Sequence, residues 1–141
     1  MNILNKLKEL DLTPNEYVVV GSGILEVLGI RYSSDIDIAV TRNLFNKLQQ
    51  TGDYEEEERY GKIFLKKEGI DVIPQLDWDK YKTTTEEAIA SAMVIEGLYF
   101  MNLDELCKFK TALGRDKDFK DIEGQPHMYA TQISDLSELM I

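Results

Sequence analysis

The chain is poor in several features that usually announce a protein's class. It has one cysteine, Cys107, in 141 residues, which excludes an internal disulfide and suits a reducing compartment. No segment approaches the roughly 18 uninterrupted apolar residues of a membrane span. The opening "MNILNKLKEL" mixes charges into its apolar pattern and lacks a small-residue cleavage site, so it does not read as a secretory signal. A cytoplasmic location is the resulting expectation. Prolines number only three, and there is no Pro/Ser-rich linker, internal repeat or low-complexity tract. Positive charge is also scarce: 16 Lys and Arg against 26 Asp and Glu give a net charge of -10. That balance argues against a large nucleic-acid surface. It leaves nucleotides open, because a metal ion can supply the missing positive charge.

What remains is an ordinary globular composition, 43% hydrophobic and 30% charged, long enough for one well-packed domain. The expected organisation is a single domain over residues 1–141, with a core at about 15–101 and a helical part at about 102–141. Ile3, Leu4, Leu7 and Leu10 recur at helical spacing. Tyr17 to Val20 is a short apolar run suited to a buried strand. Residues 22–28 read as a helix with Ser22 as N-cap and Gly29 as its stop. Residues 35–40 alternate as a strand, and Thr41 can cap a helix through Leu48.

Residues 54–60, 62–66 and 70–73 read as successive strands, with turns at Gly61 and Gly69. Thr84 with Glu87, and Asn102 with Glu105, have capping-box spacing for helices reaching about Ala92 and Gly114. Residues 94–101 read as strand or irregular. Shorter helical stretches follow at about 117–123 and around Ile133, Leu136 and Leu139. With strands mostly early and helices mostly late, the class is α+β or mixed α/β.

The glycine-rich turn Gly21-Ser22-Gly23 lies between a predicted strand and a predicted helix, where free N–H groups favour phosphate. It is not a dinucleotide fingerprint, because Glu26 stands where the third glycine belongs, nor a P-loop, because the Gly-Lys-Ser/Thr is missing. It equally serves as a plain strand-to-helix turn. Asp35 and Asp37 lie two apart in "SSDIDIAV", so on a strand they share a face, their backbones about 6.5–7 Å apart. Two such carboxylates raise each other's pKa unless a cation lies between them, and Mg²⁺ prefers oxygen ligands. Asp71, in "EGIDVIPQLDW", is a third acid among β-branched residues. A solvated acidic strand face is the structural alternative. Three acids on neighbouring strands would instead suit two metals and a triphosphate, the ions roughly 3.5–4 Å apart.

Gly21-Ser22, a short helix, Asp35-Ile36-Asp37 and then Asp71 on a later strand resemble the DNA polymerase beta-like nucleotidyltransferase superfamily. The run "LDELCKFKTALGRDKDFKDIE" is similar to the tail of small bacterial nucleotidyltransferase-like proteins. The resemblance extends over about residues 17–123. After Gly-Ser the chain has Gly23-Ile24-Leu25, which departs from the arginine common in minimal antitoxin-type members. The resemblance implies a central mixed sheet of about five strands flanked by helices, with C-terminal helices. It implies Mg²⁺ or Mn²⁺ held by Asp35, Asp37 and Asp71, which would also be the catalytic residues, and an NTP gripped by Gly21, Ser22, Arg31 and Lys110. The implied reaction moves an NMP group to an acceptor hydroxyl with release of pyrophosphate. The acceptor could be a small molecule, a protein hydroxyl or an RNA end, with specificity supplied by a homodimer mate or partner protein. The alternative is an antitoxin or regulator acting by partner and nucleotide binding.

Some residues carry structural readings beside functional ones. Lys110 shares an apolar helix stripe with Leu103, Leu106, Cys107 and Leu113, so its ammonium either snorkels to water or reaches a phosphate or an acid. Arg31 contacts phosphate or pairs with Asp35. Arg115 with Asp118 read as a turn-fixing pair, and His127 as a surface residue. "YEEEERY" reads as a solvated strand edge, where charge discourages unwanted pairing.

Overall fold

A computed structural model describes residues 3–21 and 35–114 of the chain. The predicted helices at 22–28, 117–123 and beyond, together with Ser22, Arg31, Arg115, Asp118 and His127, lie outside the described residues. Within them, α1 (Ile3–Leu10) buries Ile3 and Leu7, two members of the predicted stripe. Strand β1 (Tyr17–Val20) is buried at every position. Strand β2 (Ile36–Val40) begins one residue after Asp35. Helix α2 (Arg42–Thr51) starts where Thr41 accepts a hydrogen bond from the Leu44 amide, and it ends at left-handed Gly52. That is three residues beyond the expected Leu48, because nothing before Gly52 stops the helix.

Strands β3 (Glu55–Arg59), β4 (Lys62–Lys67) and β5 (Ile70–Ile73) follow as expected. Tyr60 and Gly61 both take positive φ in the β3–β4 turn, and Gly69 does so before β5. Helix α3 (Thr85–Ala90) has the full reciprocal capping box between Thr84 and Glu87. Residues 93–100 form a hairpin, β6 (Met93–Ile95) and β7 (Leu98–Phe100), turned at Glu96 and Gly97 with φ 50° and 79°. Two consecutive positive φ values match the twist of adjoining strands. The last described element is α4 (Leu103–Leu113), capped by Asn102 and stopped by left-handed Gly114. Its box is half formed. Asn102 accepts from the Glu105 amide, but the Glu105 carboxylate is taken by Tyr81 at 2.6 Å and Thr83 at 2.9 Å.

The described strands form one mixed sheet of seven, ordered β3-β4-β5-β2-β1-β7-β6, larger than the expected five. The surplus comes from the 93–100 hairpin, which forms two strands where the sequence suggests one stretch of strand or irregular structure. At the centre β1 runs antiparallel to β2 and parallel to β7, while β2 runs parallel to β5. Helix α1 packs against β7, α2 against β2, and α3 against β1. The core holds Val18, Val19, Ile36, Ile38, Leu65, Ile70, Val72, Ile95, Phe100 and Leu106, each at most 2% exposed. Full burial of an aliphatic side chain of this size is worth about 1.5–3 kcal/mol, so the centre of the sheet is its strongest part. Among the described residues no helix is long and apolar enough to cross a membrane.

Candidate functional site

Strand register decides what the acids can do. Asp37 of β2 pairs with Asp71 of β5 in the parallel ladder, and Lys66 of β4 stands opposite Asp71 on its other side. Val20 of β1 faces Asp37, and Glu55 of β3 faces Lys66. Partners in register project to the same side of a sheet, so Val20, Asp37, Asp71, Lys66 and Glu55 form one transverse row. Adjacent strands lie roughly 4.8 Å apart, which sets the two carboxylates side by side. Like charges placed directly opposite each other weaken a sheet, so this pairing is a local cost.

Asp35 does not belong to that row. It precedes β2 by one residue and is exposed, while the following amide, that of Ile36, donates to the Gly69 carbonyl at 2.7 Å. Among the described residues, no three His, Cys, Asp or Glu side chains are grouped to hold a metal ion. The acids brought together in register are therefore Asp37 and Asp71.

Gly21, at the end of β1, lies beside this pair. Its φ is +71°, and a Cβ built on it would lie 3.3 Å from Asp37 Oδ2. The glycine thus supplies both a left-handed turn and the space that the carboxylate occupies. Lys110 lies on α4 with 1% exposure. That burial replaces the snorkelling arrangement that its helical stripe allowed. Its companions Leu103 and Leu106 are buried too, and Cys107 is half-buried, with burial pushing its thiol pKa up.

Two cations outside the expected site, Arg59 and Lys66, join the acids. Arg59 Nη2 lies 3.7 Å from Asp71 Oδ1, and Lys66 Nζ lies 3.8 Å from the same oxygen. Both distances are ionic and too long for hydrogen bonds. Asp71 Oδ1 is itself shielded from solvent and has no hydrogen-bond partner among the described residues. Glu57 holds the cations from the far side, accepting from Arg59 Nε at 2.7 Å and pairing with Lys66 Nζ at 3.3 Å. Those bonds to Arg59 and Lys66 pull the Glu57 carboxyl down to about 2. The Arg59 guanidinium is raised further, first by its bond to Glu57 and then by the charges of Glu57, Asp71 and Asp37. It also stacks on Phe64, 5.3 Å from the ring centroid.

The edge reading of "YEEEERY" accounts for half of this strand. Strand β3 is the sheet edge, and Glu55, Glu56 and Glu58 are exposed. Glu57 and Arg59, two apart, are half-buried on the acid side. The available signal was the period-2 pairing of Glu57 with Arg59, followed by Lys66 on the returning strand.

A metal ion is expected both from the paired carboxylates and from the resemblance, and the donor set can be tested against it. Mg²⁺ is commonly bound by one or two carboxylates together with substrate phosphates and water. Asp37 and Asp71 supply two carboxylates, Asp71 Oδ1 is shielded without a hydrogen bond, and Gly21 leaves room at Asp37 Oδ2. The residues fit such an ion on those three counts. Compared with known protein families, curated proteins and solved structures, the chain matches none.

Proposed function

We propose that the chain is a metal-dependent nucleotidyltransferase, moving an NMP group from an NTP to an acceptor hydroxyl. The observation that carries this reading is the register of Asp37 against Asp71, with Gly21 opening the turn beside them. A pair of like charges next to a left-handed glycine costs stability, and such local costs gather at functional sites.

In this reading Asp37 and Asp71 would hold Mg²⁺ or Mn²⁺, and Asp35, exposed just before β2, stays outside their row. When bound, the ion neutralises charge on the phosphates and acidifies the acceptor hydroxyl. Asp71 receives the proton of that hydroxyl. The acceptor oxygen forms a bond to the α-phosphorus as the bond from that phosphorus to the pyrophosphate oxygen breaks, and pyrophosphate leaves. Asp37, fixed by β1 and β5 on either side, keeps the reacting groups in line, so catalysis comes mainly from positioning and charge. Gly21, Ser22, Arg31 and Lys110 are the proposed phosphate-side residues. A cationic small molecule is the acceptor class best matched to a net charge of -10.

The test is transfer from α-labelled NTP in Mg²⁺ to acceptor panels, with Asp37→Ala as control. Transfer or slow NTP hydrolysis is expected from the parent, and at least a hundredfold less from the variant, on the order of losing one electrostatic contact to the transition state. Equal rates in both would remove this site. Nucleotide binding without transfer, together with a stoichiometric partner from the native cell, would replace the enzyme by a binding protein.

A further inference from the structure

The cations beside the acid pair call for their own explanation. A plain sheet edge does not need Arg59 to lie across Phe64 and face Asp71. Nor does it need Lys66 to face the same oxygen from the neighbouring strand. Glu57 holds both from behind, at 2.7 Å and 3.3 Å. Neither cation is locked onto Asp71, since both stop beyond hydrogen-bonding distance. Arg59 engages Glu57 through Nε, and a guanidinium has further N–H donors arranged as a fork that fits phosphate.

We propose that Arg59 and Lys66 make the Asp37–Asp71 site select a divalent ion delivered with a polyphosphate over the bare ion. This role presupposes the nucleotidyltransferase site proposed above and adds two residues to it. A divalent ion bound at Asp71 stands close to two fixed positive charges and is repelled by both. A triphosphate carries more negative charge than one divalent ion cancels, so the complex of the two is attracted by the same cations. The repulsion becomes attraction once phosphate oxygens are present, with Arg59 reaching them through its free donors and Lys66 as a point charge. Glu57 keeps the two cations at the rim of the acid pair when no phosphate is bound.

The test uses the full-length chain and Mn²⁺, followed by the electron paramagnetic resonance signal of the unbound ion. Titrations are run with and without a triphosphate analogue whose α–β bridge cannot be cleaved, and with inorganic tripolyphosphate. The parent should bind Mn²⁺ weakly alone and about tenfold or more tighter with either polyphosphate. Arg59→Gln and Lys66→Gln should each bind bare Mn²⁺ several-fold tighter and lose most of the polyphosphate gain. Lys66→Arg, which keeps the charge, should behave as the parent. Thermal melts check that each variant is folded, and both sites are partly exposed, at 31% and 40%. Folded glutamine variants that bind bare Mn²⁺ no tighter than the parent would overturn the selectivity while leaving the acid pair in place as a metal site. If the parent takes up no Mn²⁺ with or without polyphosphate, the nucleotidyltransferase reading fails, and the role of the two cations fails with it.

Discussion

Strands β2 and β5 carry two opposite surfaces on the same backbone. On one side Ile36, Ile38, Ile70 and Val72 are each at most 2% exposed. On the other, Asp37 stands beside Asp71, whose side chain keeps 24% exposure and meets two cations. Successive strand residues alternate between these surfaces, so neighbours in sequence have unrelated jobs. The apolar side gains free energy by leaving water. The acid side sets like charges together and leaves one shielded oxygen without a hydrogen bond, which opposes folding. A sheet retains such a row only where the other side is stable enough to carry it. Mutations on the two sides should therefore fail in different ways.

The largest expected effect comes from making the apolar side resemble the acid side. Ile38→Asp puts an unpaired charge where the parent side chain is 1% exposed, at a cost of at least several kcal/mol. The variant should show no cooperative urea transition, and parent-like unfolding would break the contrast. Next come adjacent positions on opposite surfaces. Leu65→Ala, at 0% exposure, should cost about 2–5 kcal/mol in urea unfolding. Lys66→Ala, in a partly exposed ion-pair network, should cost no more than about 1 kcal/mol. Similar losses at both positions would show that the charged row is structural.

Gly21→Ala sharpens the boundary between the two. An alanine forced to φ +71° should lose about 1–2 kcal/mol. Its methyl group also crowds Asp37 Oδ2, so metal binding should weaken as well, as titration with Mn²⁺ would show. A stability loss with unchanged metal affinity would separate the turn from the site. The smallest effect belongs to Glu57. Its carboxyl is lowered from 4.5 to about 2 in the folded chain by Arg59 and Lys66. That stabilisation is therefore present above 4.5 and lost as pH falls through about 2. Over that window the parent should lose slightly more stability than Glu57→Gln, and high salt should shrink the gap. Parallel pH profiles would mean that Glu57 does not hold the cations.

Much of the fold was legible because its signals are local. Thr41, Thr84 and Asn102 cap α2, α3 and α4 as their spacing to the next amides requires. Residues 94–101 were ambiguous because their turn places Glu96 at φ 50°, where asparagine, aspartate or glycine would have announced a hairpin. Asn102 and Glu105 have capping-box spacing, but tertiary contacts with Tyr81 and Thr83 take the carboxylate. Those hydrogen bonds outweigh the opposing effect of burial and hold its pKa below the ordinary value. Lys110 could not be placed from its helix alone, because the stripe that makes it amphipathic is the same whether the ammonium surfaces or stays inside.

Asp35, Asp37 and Asp71 were all visible as acids in apolar surroundings, yet only register separates them. Asp37 and Asp71 share a row, while Asp35 falls one position before the strand. The residue list for a site was in the chain; its membership was not. Arg59 and Lys66 show the same limit from the other side, since an edge strand rich in glutamate conceals which of its alternate residues turn inward.

By itself the sequence determined where helices start and stop, where chain reversals fall, and which strands are apolar enough to be central. Capping, left-handed glycine and period-2 alternation act within a few residues and need no distant partner. Only the tertiary structure decided that Asp37 lies against Asp71, that Gly21 leaves room for a carboxylate, and that Arg59 and Lys66 face that pair. Those facts depend on the register between paired strands, β2 and β5 not even consecutive in the chain, and a one-residue slip would turn a strand's side chains to the opposite side.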